Sequence, residues 1–218
     1  MQWELGLNAI SEMIDTLESK GVLIIRTAVE SGHKVDGLAG SIGKTPVVVV
    51  VSTHSSGDRQ RFTLAHELGH LMLHGRLAEG LDEEKACNRF AGAFLLPKFG
   101  VLQHLGTFRR HLELQELNLL KHEFGLSMLG VVMRAHQCAV IGNDLHKRWC
   151  VDFSKKGYKK SEPGEPYPQE EIILFKQLIY RALGECYIGE SKVAELLSMS
   201  LSSLYKERML GAMGESID

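Results

Sequence analysis

The stretch RQRFTLAHELGHLMLH, Arg59 to His74, holds residues whose types and spacing suit metal chemistry: His66, Glu67 and His70 spell H-E-x-x-H. A helix repeats about every 3.6 residues and sets positions i and i+4 on one face, so both imidazoles point at a common spot. Two neutral imidazoles so placed are half of a zinc site. Glu67 is rotated about 100° from His66, within reach of a water at such a site yet poorly placed to be a ligand. It is the natural general base. The bare motif also arises by chance, the more readily in a chain with 10 histidines. Its flanks argue otherwise: Thr63, Leu64, Leu68, Leu71, Met72 and Leu73 make an apolar helix in which His66, Glu67 and His70 would lie buried, where uncompensated polar groups are costly.

A catalytic zinc takes three protein ligands and keeps the fourth place for water, so one more partner is needed. The segment EEKACNRFAGAFLLP reads as a second helix, opened by Asp82 or Glu83 and ending near Pro97. On it Glu84 and Asn88 stand one turn apart, with Phe90, Ala91, Phe94 and Leu95 supplying the apolar surface. Glu84, facing inward, is the chosen third ligand, since residues 71 to 83 leave room for a helix to end, turn and return. A solvated first-turn acid is the commoner fate of such a residue, and Glu83 or Asp82 takes the role if the register slips. His74, a further i+4 step from His70, is read as a supporting or surface histidine.

These two segments in succession resemble the ImmA/IrrE family of metallopeptidases, in which H-E-x-x-H is followed by a helix reading E-x-x-x-N-x-F-A and then L-L-x-P. The resemblance implies Zn2+ on His66, His70 and Glu84, Glu67 as base, and Asn88 as a group supporting the ligands. It further implies a protein substrate, a DNA-binding transcriptional repressor in phage, mobile-element or stress control. Cys87 stands where the family usually has alanine, which bears on packing more than on chemistry. The reaction also calls for an oxyanion donor; Arg89, His104, His111 and His122 are the candidates, and the sequence does not choose among them.

The elements that must position these groups are those of an α+β fold. A small, mostly antiparallel sheet is expected to pack on the H-E-x-x-H and Glu-bearing helices, with helix-turn-helix-like segments following. Leu7 to Lys20 reads as an amphipathic helix stopped at Gly21, Val22 to Val29 as a strand, SGHKVDG as a turn, and Gly37–Ile42 and Val47–Ser52 as two further strands joined by GKTP. Because VVVVV is apolar on both faces, its strand should be covered on both sides. The metal helix starts near Ser56 to Asp58. Phe99 to Phe124 is helical in pattern, and FGLS, with Gly125 as turn and Ser127 as N-cap, divides two helices within residues 114–137.

Residues 1–140 are thus expected to form the metallopeptidase-like domain, 141–169 an irregular linker or lobe boundary, and 170–218 a C-terminal helical segment. The linker is basic at first and then rich in Pro, Gly and Glu. Its KKGYKK run has the look of a phosphate contact, though a solvated loop is the more frequent explanation. In the last segment SKVAELLSMSLSSLYKER has the spacing of a helix-turn-helix, with Val193, Ala194, Leu197, Met199 and Leu204 interior and Ser198 in place of the turn glycine. Similar tails occur in relatives fused to repressor-type modules, while a docking or dimerising helix pair is the safer reading; the WELGL opening resembles what lies mid-chain in such fusions, so a separate module is expected ahead of it.

Composition bounds the rest. Hydrophobic residues make up 44%, charged ones 24%, and the formal charge is -2. That is ordinary globular material, with no whole-chain charge for a polyanion or a membrane surface. Four scattered cysteines without a C-x-x-C pair suit reduced thiols, the N-terminus lacks the pattern of a signal peptide, and the longest apolar run, Val47 to Val51, is too short to span a bilayer. A cytoplasmic protein is expected. The rival to a peptidase is a non-proteolytic zinc-containing regulator that binds a repressor or DNA through its C-terminal helices.

Overall fold

The computed structural model describes residues 6–26, 37–50 and 56–209. Its sheet has three strands, β1 (Leu23–Arg26), β2 (Gly37–Ile42) and β3 (Thr45–Val50), in the order β1-β3-β2. The pairing is mixed: β3 runs antiparallel to β2 and parallel to β1. The valine run therefore lies in the middle, and Val47 and Val48, which point to opposite faces, are both buried. Gly43 and Lys44 make the two-residue turn of the β2–β3 hairpin, Gly43 at a positive φ of 62°. The SGHKVDG turn, apart from Gly37, and the outer ends of the first and third strands lie outside the described residues.

One helix, α1 (Met13–Ser19), precedes the sheet and stops at Gly21 as expected, but it starts later than Leu7. The sheet then packs on α2 (Gly57–Leu73), the H-E-x-x-H helix, which α3 (Glu83–Leu95) follows.

 Asp82 caps α3 through a hydrogen bond accepted from the Lys85 N–H at 3.1 Å, and the helix ends at Leu95, two residues before Pro97. The two helices approach closely where Gly69 meets Cys87: a Cβ added at Gly69 would stand 3.2 Å from the Cys87 Cα. The small residues at this crossing set the distance between the metal helix and the helix bearing Glu84.

The Phe99 to Phe124 region is not one helix. Gly106, at a positive φ of 76°, ends α4 (Lys98–Leu105), and α5 (Leu114–Phe124) begins only after an irregular connection. Gly125 in the left-handed conformation and Ser127, whose hydroxyl accepts from the Gly130 N–H, then lead into α6 (Met128–Gln137), as expected. Leu117, Leu120, Phe124, Val131 and Val132 sink into the same core as α2 and α3. Arg134 of α6 crosses Gly92 and donates to the Leu96 carbonyl at 3.0 Å, tying the end of α3.

The first half of the expected irregular linker is instead α7 (Asn143–Lys155). Leu145, Trp149 and Phe153, spaced i, i+4, i+8, form a stripe against the core that the surrounding lysines mask in a composition reading. The remainder, to Ile173, is irregular and crosses the start of α2. Beyond it α8 (Leu174–Gly184), α9 (Glu190–Leu196) and α10 (Leu201–Arg208) gather around a small cluster of their own, Ile179, Val193, Ala194 and Leu204. Ser198 adopts a φ of 52° at the turn where a glycine is often found. No helix among the described residues is long and apolar enough to cross a membrane.

Candidate metal centre and its cleft

Helical spacing brings the imidazoles of His66 and His70 together on α2, their Nε2 atoms 3.1 Å apart. Glu84, in the first turn of α3, places Oε2 3.3 Å from His66 Nε2 and Oε1 3.3 Å from His70 Nε2. A tetrahedral ion with bonds of about 2.0–2.1 Å holds its ligands roughly 3.3–3.4 Å apart, so this triangle is close to the size of one face of a zinc site.

The other ring nitrogens support that reading. His66 Nδ1 lies 3.2 Å from Asn88 Oδ1 and His70 Nδ1 3.2 Å from Glu83 Oε1. With both Nδ1–H groups donating to these oxygens, both Nε2 atoms carry lone pairs. Two lone pairs and a carboxylate then converge on one point, an arrangement that repels itself unless a cation lies there. The donor set fits a divalent metal.

Glu67 lies beside this triangle and is 7% exposed. Burial pushes its carboxyl above the usual range; His66 and His70 oppose the shift, Glu84 adds to it, and a hydrogen bond from the Ala39 backbone opposes it again. Strand β2 thus reaches Glu67 directly. Gly37 is required for the approach, because a Cβ there would come within 2.7 Å of the Thr63 methyl and 2.9 Å of Glu67 Cγ. A cleft of about 890 Å³ opens over the site, with β2 as one wall and α2 and α3 as the other.

Two expectations change. The His66 and His70 side chains are 16% and 25% exposed and that of Glu84 is 70% exposed, so the group lies on the floor of an open cleft and is not sealed in a core. None of Arg89, His104, His111 and His122 lines the cleft. His104 faces Glu123 at 3.2 Å, His111 faces Glu113 at 2.9 Å, and the His122 ring stands beside Tyr167. His74 does line it. Glu83 is placed against His70 Nδ1 and not in the ligand triangle, while Asp82 is the helix cap.

A second group, His70, Glu83 and Cys87, also clusters tightly. Burial, followed by the charges of Glu83, Glu84 and Glu67, pushes the Cys87 thiol up to about 11, so near neutral pH it is a packing residue. The sequence reading missed Gly37, the Ala39 backbone donor and the role of Glu83. The adjacent acids Glu83 and Glu84 were a signal for the last; nothing local announces the first two. A family model described as the IrrE N-terminal-like domain matches residues 17–136, more than half of the chain. No curated protein matches it.

Proposed function

The chain belongs to the family of IrrE N-terminal-like domains, the ImmA/IrrE metallopeptidases, and from that premise we propose that it is a zinc-dependent endopeptidase acting on another protein, a transcriptional repressor of phage, mobile-element or stress control. The observation that carries the metal reading is the convergence of His66 Nε2, His70 Nε2 and Glu84 on one point, with Glu67 beside it.

A zinc ion held by these three residues would supply a Lewis acid for the scissile carbonyl and make water acidic enough to be deprotonated near neutral pH. Glu67 is the base that takes that proton, and its partial burial raises its proton affinity for the task. Protonated, it then gives the proton to the departing amine. Asn88 and Glu83 hold the imidazoles in the tautomer that leaves Nε2 free.

Among the described residues strand β2 is the edge of the sheet beside the cleft, and the Ala39 N–H already points away from β3 toward Glu67. In an antiparallel pair alternate residues share that direction, so Gly37 and Ser41 offer their backbone groups on the same side. An extended substrate segment can add to this edge.

The test is incubation of the zinc-loaded protein with the candidate repressor and its Glu67→Gln counterpart in parallel. Cleavage by the first and none by the second supports the peptidase. An intact repressor in a stable complex, with both proteins behaving alike, would replace it with a binding regulator.

A further inference from the structure

Phe62 lines the catalytic cleft and also a second cavity of about 480 Å³, so the two adjoin at this ring. The second cavity lies between the first turn of α2, the α5–α6 pair and the Tyr158 to Pro166 segment. Its charge is opposite to that of the cleft. The cleft presents Glu67, Glu83 and Glu84, whereas the cavity sets Arg59, Lys121, Lys159 and Lys160 against Asp58 and Glu162.

Glu162 is already engaged: it pairs with Lys121 at 3.2 Å and accepts the Met128 and Leu129 N–H groups at the start of α6. Asp58 is buried and offsets one further base. Lys159 and Lys160 stand exposed at the rim, neither engaged by an acid among the described residues, and they leave the cavity net positive. The lysine run that the metal site leaves unexplained therefore lies at a cavity that adjoins the cleft.

Resting on the peptidase reading, we infer that this cavity is a substrate subsite for an acidic side chain. Arg59 and Phe62 precede His66 by seven and four residues, about 6 to 11 Å along the helix axis. An extended peptide covers that span in about two to four residues. The preferred substrate thus carries Asp or Glu at least about two to four positions from the scissile bond, in the cavity that Lys159 and Lys160 rim.

Binding is measured by fluorescence anisotropy on the zinc-loaded Glu67→Gln protein. The probes are labelled peptides about twelve residues long, identical except that one half carries Glu, Gln or Lys, long enough to run from cleft to cavity. The Glu peptide should bind about fivefold or more tighter than the Gln peptide. The double substitution Lys159→Glu with Lys160→Glu, at exposed positions, should abolish or reverse that preference with metal content and circular dichroism unchanged. Equal binding of the Glu and Gln peptides, or a preference that survives the double substitution, overturns the subsite. So does stabilisation of the protein by inorganic phosphate alone while the peptides bind alike, which would make the cavity a small-anion site.

Digestion of a peptide library by the otherwise unaltered zinc protein separates the two readings. Cleavage without acidic enrichment near the cut removes the subsite and keeps the peptidase. No cleavage, with the acidic binding preference intact and lost in the double variant, keeps the subsite and removes the peptidase.

Discussion

At the scale of single residues, the proposed site divides labour between groups that would hold the ion and groups that hold those groups. Glu67 belongs to neither set, so its loss should leave metal binding intact while removing the base. For Glu67→Gln we expect cleavage to fall by about 10²–10⁴-fold with zinc stoichiometry by elemental analysis unchanged; a variant that loses the metal as well would mean that Glu67 is a ligand. Glu83 acts through His70. Glu83→Gln should weaken zinc binding about 10–100-fold in a chelator competition, and an affinity equal to that of the unaltered protein would reduce the 3.2 Å contact with His70 Nδ1 to a surface pairing. Much of this was legible in the sequence. That His66, His70 and Glu84 would come together, with Glu67 beside them, was readable because a helix converts spacing directly into direction, and Asn88 follows from Glu84 by the same rule. The oxyanion candidates failed for the converse reason: Arg89, His104, His111 and His122 were named for their chemistry alone, with no element to aim them.

At the scale of elements, the cleft is made by two close approaches, each depending on a missing side chain. Gly69 lets α3 come up against α2 at Cys87, and Gly37 lets β2 come down on Thr63 and Glu67. The sequence showed the helices and the hairpin clearly, through their periodicity and their turn glycines, but not which glycine marks an approach between elements distant in the chain. A similar blindness hid α7, whose Leu145, Trp149 and Phe153 stripe was outvoted by basic neighbours. Gly37→Ala would set a methyl within 3.0 Å of Thr63 and of Glu67 Oε1, so β2 must retreat or Glu67 must turn. The expected outcome is a loss of cleavage of about 10²-fold, as for misplacement of a catalytic group by roughly 1 Å, with a melting temperature that changes by only a few degrees. Full activity in this variant would show that the strand does not position the base.

At the scale of the whole molecule, stability and the site meet in the segment before α8. Glu18 on α1 has one carboxylate oxygen buried without a hydrogen-bond partner among the described residues, and burial, with Asp15 adding, raises its pKa from 4.5 to about 7. Below the ordinary value both folded and unfolded chains hold the proton, so nothing is lost. Between roughly pH 4.5 and 7 the unfolded chain ionises first, and stability declines as pH rises. Glu18→Gln should flatten that decline in urea titrations by about 1 kcal/mol, discounted because the side chain is partly solvated; an unchanged slope would place the proton elsewhere. The larger dependence is on Arg61, whose side chain is fully buried one turn and a half before His66. It pairs with Glu170, donates to the Ser11 and Ile10 carbonyls, and passes over Gly125, so one guanidinium joins the N-terminal segment, the α5–α6 turn and the strap that leads to α8. Glu170 in turn accepts the Ile14 N–H at 2.7 Å, and its backbone exchanges hydrogen bonds with Gln60. Removing the acid alone strands a buried cation, so Glu170→Ala should cost about 3–5 kcal/mol in denaturant unfolding. Arg61→Met in the same chain should recover part of that cost, because the cation that needed the partner has gone. If the single substitution costs under about 1 kcal/mol, or the pair is as damaging as the sum of its parts, the strap merely lies over the metal helix and does not lock it.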